Sequence, residues 1–332
     1  MKSKCSSWPH STIVLLISLA AVGLLPFPEN ASAASCQRNV TADVVAFDKP
    51  LMYNRLGAGN VNGMMFALRR DVVNVNSLLP LKNTANPALQ GLAIAGQLDL
   101  RPDKRHRPIV LRIRVGDCLT VNFQNLLTAV ANPFNAPKVT PAGQQFAPPI
   151  VDDQTAERRV GFHVSGLQPV NSIADDGSNV GNNGAAGLVP SGGSTLYTLY
   201  AAKEGVFVVS NPGSTFGSDG NMGNNSNGLF GQVIVEPAGA ESFRSQVFEE
   251  EMRLAADANF NGVLDANEQT ANGQPLINYD ATYPNDCATN GVWCQEGKAG
   301  LPIIAMMTAG HEIVHSEINA FNAFRTAGKL GA

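Results

Sequence analysis

Between residues 109 and 237 the apolar positions recur every second residue, in short runs separated by glycine, asparagine and proline. That period of two marks half-buried β-strands. Within 109–125, Leu111, Ile113 and Val115 alternate with Val110, Arg112 and Arg114. The chain bends at Gly116-Asp117, and Leu119, Val121 and Phe123 resume the apolar face. Over 194–210 the same reading places Tyr197 and Leu199, then Val206 and Val208, on one face of a strand pair joined by a turn at Lys203-Glu204-Gly205. A further strand is predicted in 227–237, and earlier ones at 41–48 and 64–73. Residues 78–98 fit neither period. Residues 129–155, rich in Pro, Asn and Ala, predict an irregular loop, and 175–187 and 213–228 predict Gly/Asn-rich loops at the ends of a sandwich. The strand runs predict a mainly β fold built as a sandwich.

Past Pro237 the spacing changes. Phe243, Val247, Phe248 and Leu254 recur at helical intervals and predict a helix over 241–256. Residues 273–285 read as a polar linker with tyrosines. Residues 300–324 suit either a helix or a strand and are expected to open a further, truncated segment spanning 300–332; 238–299 then forms a helix, loop and linker extension.

Composition sharpens this picture in three ways. The chain has 332 residues, 32 Gly, 20 Pro and 15% charged residues, which suits a turn-rich β fold. A net charge of -4 gives no electrostatic footprint for nucleic acid. The opening residues 1–33 read as a secretory signal: Lys2 and Lys4, an apolar run over 12–25, and a small-residue site at Ala31-Ser32-Ala33. That run is shorter than a membrane span, so the mature chain is expected to be secreted or periplasmic, with no membrane contact after cleavage. It would keep Cys36, Cys118, Cys287 and Cys294. An even number in an exported chain predicts disulfides, with three possible connectivities; the short loop makes Cys287 with Cys294 the readiest pair, and Cys36 would then pair with Cys118.

Three stretches carry candidate metal chemistry. Asp257, Asn259, Asn261, the Val263 carbonyl, Asp265 and Glu268 occupy positions 1, 3, 5, 7, 9 and 12 of an EF-hand-like calcium loop, with Gly262 at the sharp turn. Two neutral amides among the ligands predict modest affinity and a structural role. His311-Glu312-Ile313-Val314-His315 matches H-E-x-x-H, which on a helix sets two zinc ligands one turn apart with a glutamate base; no third ligand follows beyond Glu317. A zinc metalloprotease is one rival function, and a non-catalytic, calcium-stabilised binding module is the other. The carboxylates of Glu236, Glu241, Glu249, Glu250, Glu251 and Asp257 would attract divalent cations if they shared one face, although a solvated helix face is the simpler expectation.

The order of landmarks resembles the first cupredoxin domain of a multicopper oxidase. Those landmarks are V-G-D at 115–117 followed by L-T-V-N-F-Q-N, then F-H-V-S-G, an Asp-Gly turn, Y-x-x-Y-A-x-x-E-G and G-L-F-G-Q-V-I-V-E-P. The resemblance spans about 36–320 and is nearest to the large bacterial, manganese-oxidase-like type. It implies a cupredoxin-like Greek-key β-sandwich over 36–237 and copper as cofactor. It also implies an oxidoreductase that couples substrate oxidation to reduction of oxygen, with further cupredoxin domains as partners in cis or trans. In the copper-binding version the first segment reads His-x-His-Gly and a later one His-x-His. Here His163 is followed by Val164 and Ser165, and Ser210 and Pro212 stand where later histidines are wanted. Only His106, His163, His311 and His315 remain after the signal. A full mononuclear and trinuclear copper set takes about twice as many imidazoles. His163 is the one candidate copper ligand, and the chain alone is expected to lack a working cluster; a half-buried strand histidine bonded to backbone is the simpler reading.

Overall fold

The computed structural model describes residues 35–60, 62–129, 158–178, 184–211, 223–289 and 291–326, with short segments at 138–139, 145–146 and 329–331. The signal read over 1–33, most of the 129–155 loop, and parts of both Gly/Asn-rich loops, Pro212 included, lie outside the described residues. Residues from Cys36 onward form one compact unit.

The strands of the sandwich, in chain order, are β1 (Arg38–Asp48), β2 (Met64–Leu68), β3 (Ile109–Arg114), β4 (Asp117–Asn125), β5 (His163–Val164), β6 (Gln168–Pro169), β7 (Ser194–Tyr200), β8 (Gly205–Ser210) and β9 (Gly231–Glu236). They form two sheets, ordered β6-β7-β4-β1-β2 and β5-β8-β9-β3. Two pairings are parallel, β1 with β4 and β9 with β3; the others are antiparallel. The fold is a mainly β sandwich, as the alternation predicts. Leu111, Ile113, Leu119, Val121, Phe123, Tyr197 and Leu199 all enter the shared core. Phe66, Phe123, Phe162 and Tyr197 pack ring against ring at its centre, in the edge-on and offset arrangements aromatic quadrupoles favour.

Two expectations change. The runs 109–125 and 194–210 are not hairpins: β3 and β4 lie in opposite sheets, as do β7 and β8. The bends at Gly116 and Gly205, both at positive φ, carry the chain from one layer to the other. The face of β8 is also the reverse of that predicted. Phe207 and Val209 are buried, while Val206 is 63% and Val208 56% exposed. The crossover at 201–204 resets the phase, and with a period of two a shift of one residue exchanges the faces.

Downstream, residues 241–244 form β10 (Glu241–Arg244), and the helix α1 is confined to Glu249–Ala256. β10 pairs with β11 (Ala320–Thr326), which pairs with β12 (Lys329–Gly331). Strand pairing overrides the helical spacing because Phe243 is fully buried in a second core with Tyr283, Ile303, Ile304 and Val314. The linker tyrosine Tyr283 is thus a core residue. Residues 301–319, open to either reading, form an irregular run of bends and isolated bridges before β11. No helix among the described residues is long and apolar enough to cross a membrane.

Both disulfides are formed, Cys36–Cys118 with Cα atoms 5.3 Å apart and Cys287–Cys294 with Cα atoms 5.6 Å apart. The first closes 82 residues of chain and fastens the start of β1 to β4. Such bonds persist in oxidising compartments.

Candidate functional site

His163 opens β5, at the edge of the second sheet. Its neighbours Phe162 and Val164 are buried in the sandwich core, so by alternation His163 and Ser165 face outward. Register sets His163 opposite Ser210 and Val164 opposite Val209. The 172–177 turn closes over this face. Ser172 and Asp175 cap each other's backbone in a capping box, and the Gly177 N–H donates to the Phe162 carbonyl. Gly177 is required there: a Cβ would come within 2.3–2.4 Å of Phe162 backbone atoms.

That approach brings Asp176 to the imidazole. His163 Nδ1 lies 2.5 Å from Asp176 Oδ1, and Nε2 lies 3.2 Å from Ser165 Oγ. The second Asp176 oxygen accepts the Ser178 hydroxyl at 2.7 Å. Burial pushes the Asp176 carboxyl up, but the hydrogen bonds from His163 and Ser178 outweigh it and hold the group below its ordinary value. The expected backbone partner of His163 is therefore replaced by two side chains. A hydrogen-bonded Asp-Gly turn beside an i, i+2 pair on a strand was the available sequence signal, but its docking onto β5 is a tertiary fact.

Copper does not fit this donor set. Both ring nitrogens of His163 are engaged, the residue two positions on is a serine, and the residue across the ladder is another. Hydroxyl oxygens are poor substitutes for imidazole or thiolate at such centres. Among the described residues, no group of three or more His, Cys, Asp or Glu side chains is gathered as metal ligands.

The calcium-type loop follows α1. Asp257 and Glu268 are buried at its two ends. Asp257 accepts backbone N–H bonds from Asn259, Asn261 and Gly262, while Glu268 accepts from Ala258 and Asp265. Asn261 Oδ1 accepts from Val263 and Asp265 Oδ1 from Asn267. Gly262 has φ +79° and Phe260 φ +51°, so the sixth position makes the left-handed turn that calls for glycine. After Glu268 the chain forms a Thr270–Gln274 turn, with no exit helix.

The H-E-x-x-H residues are separated. The 311–315 segment is not helical: His311 has φ +63°, and Glu312 is bridged to Thr41 and Ile313 to Met307, so the one-turn helical spacing is not present. Glu312 is held by Arg70 at 2.7 Å and Lys82 at 3.0 Å. His315 is buried, with Nε2 2.8 Å from the Pro302 carbonyl and Nδ1 without a hydrogen-bond partner. His311 lies in a cleft with Arg38, Met307 and Arg325, where burial and then Arg38 lower its pKa. The acidic residues of 236–257 do not share one face: Glu236 pairs with Arg112, and Glu251 is buried against Arg244 and Tyr283.

No protein-family model matches the chain, and no curated protein matches it. Among solved structures, a multi-copper oxidase from Pseudomonas thermotolerans aligns at 16% identity and a TM-score of 0.31, covering 60% of this chain and 30% of that one. A copper nitrite reductase from Nitrosomonas europaea aligns at 14% identity and a TM-score of 0.31, covering 60% and 42%. The multicopper oxidase mgLAC aligns at 13% identity and a TM-score of 0.31, covering 65% and 42%. The chain thus spans less than half the length of each of these proteins.

Proposed function

We propose that this chain is an exported cupredoxin-like module of a multicopper-oxidase assembly of the manganese-oxidase-like type, and that it carries no copper cluster of its own. The observation that carries this reading is the His163 environment: a sandwich strand bearing one imidazole, bound to Asp176 and Ser165 and set opposite Ser210. In such an assembly the copper-bearing cupredoxin domains, in cis or in trans, would oxidise substrate and reduce oxygen, and this module would pack against them. Elemental analysis and visible absorption of the purified full chain test this. Less than a tenth of an equivalent of copper is expected, and no blue band; one tightly held copper per chain abolished by His163→Ala would overturn it.

A second, structural function is proposed for the 257–268 loop, which is read as a calcium clamp between the sandwich and the segments after it. The support is the ring of backbone amides already oriented by Asp257 and Glu268 around a left-handed Gly262.

A further inference from the structure

We infer that Ser165, His163 and Asp176 form a nucleophilic triad that is acylated by small activated esters. Such triads are recognised by geometry and roles rather than by fold or chain order. Here the hydroxyl, the imidazole and the carboxylate follow one another at 3.2 Å and 2.5 Å, with a different ring nitrogen used for each contact. An ionised carboxylate only accepts hydrogen bonds, so Asp176 sets the proton on Nδ1. That leaves the Nε2 lone pair toward the Ser165 hydroxyl, the tautomer a general base requires. Asp176 is itself fixed by Ser178 and by the Gly177 contact with β5.

The surroundings suit an ester. Ser165 is exposed on the outer face of the sheet, so an acyl carbonyl reaches Oγ without entering the core. The Ser165 N–H donates to the Val208 carbonyl at 2.9 Å, and the exposed side chains of Val208 and Val206 make an apolar strip beside the hydroxyl. That strip takes a short acyl chain. Because the face is open, the leaving group must be a good one, such as a phenolate.

In the acylation step Ser165 Oγ bonds to the carbonyl carbon while its proton passes to His163 Nε2. The carbon–oxygen bond to the phenolate then breaks, and the phenolate takes that proton. Water repeats the sequence in reverse to release the acid and restore the serine. No oxidant, reductant or further co-reactant is needed. The triad and the oxidase reading share the His163 contacts, but acylation needs no metal, so an unreactive Ser165 would leave the copper-free oxidase module standing.

The test uses the full chain with p-nitrophenyl acetate and, separately, a fluorophosphonate. A single covalent adduct located at Ser165 by peptide mass spectrometry is expected, together with p-nitrophenol release above the buffer rate. Ser165→Ala should lose both, and His163→Ala should slow adduct formation by about 100-fold or more. Asp176→Asn, a positioning change, should lower kcat while leaving KM within about twofold, and Asp176→Glu should recover part of the rate. Ser245→Ala serves as the control and should retain the full rate. An adduct at another residue, no adduct in the folded protein, or equal labelling of the wild type and His163→Ala would each overturn the proposal.

Discussion

Arg112 Nη1 donates to Glu236 Oε1 at 2.6 Å across the parallel β3–β9 pair, on the outer face of the second sheet. The same two side chains reach the end of the chain: Arg112 Nη2 donates to the Ile318 carbonyl, and Asn322 donates to Glu236 Oε2. The ion pair is buried because residues 316–322 cover this face, and it links the sandwich to β11 and the residues just before it. Removing one partner strands the other charge, so Glu236→Ala should destabilise the protein by about 3–5 kcal/mol in urea unfolding. The double change Arg112→Met with Glu236→Leu should cost much less. Equal losses for the single and double variants would show that the pair does not hold the segment.

The buried His315 predicts a pH dependence. Burial, then Arg244 and Lys104, depress its pKa well below the ordinary value; the Pro302 carbonyl acts upward, and Arg70 adds the smallest downward effect. The imidazole is therefore neutral in the folded protein, while in the unfolded chain it takes a proton near pH 6.5. The unfolded state binds more protons below that point. The neutral residue's contribution is therefore complete above about pH 6.5 and is lost as pH falls toward the depressed folded value. Urea midpoints measured from about pH 7.5 to 5.5 should fall with acidification, and His315→Gln should flatten the slope. An unchanged slope would remove His315 as the cause.

Cys36–Cys118 ties a strand end to its parallel partner across 82 residues. Restricting the unfolded chain over a loop of that length is worth about 4.5 kcal/mol in the chain-entropy view. The Cys36→Ala, Cys118→Ala variant should lose stability of that order by chemical denaturation. The Cys287–Cys294 pair closes a loop of 7 and should matter less, about 2 kcal/mol.

For the 257–268 loop, calcium should raise the melting temperature at millimolar concentration, in the range of extracellular modules, about 10⁻⁴–10⁻³ M. Glu268→Gln preserves shape but removes the charge at the twelfth position, and should abolish the shift. A shift of equal size in that variant would place the ion elsewhere.

The sandwich was legible because its core strands obey a two-residue period that survives in isolation. Leu111, Ile113, Leu119, Val121 and Phe123 are buried as their alternation indicates. What was not legible depended on partners far along the chain. The helical spacing of 241–248 gave way because β10 found β11 about 80 residues later. The faces of Val206 and Val208 were misassigned because a crossover, unlike a hairpin, need not preserve phase. Of the site, His163 and its missing histidine partners could be read directly, whereas the pairing with Asp176 could not.

By itself the sequence determined the mainly β layers and a histidine count too small for a full mononuclear and trinuclear copper set, since both depend only on local period or on counting. Tertiary structure alone decided which turn lies over His163, that Glu312 is neutralised by Arg70 and Lys82, and that residues 301–323 complete a second core. Each of these results from close packing between segments distant in sequence, and local periodicity carries no information about which distant segment will arrive.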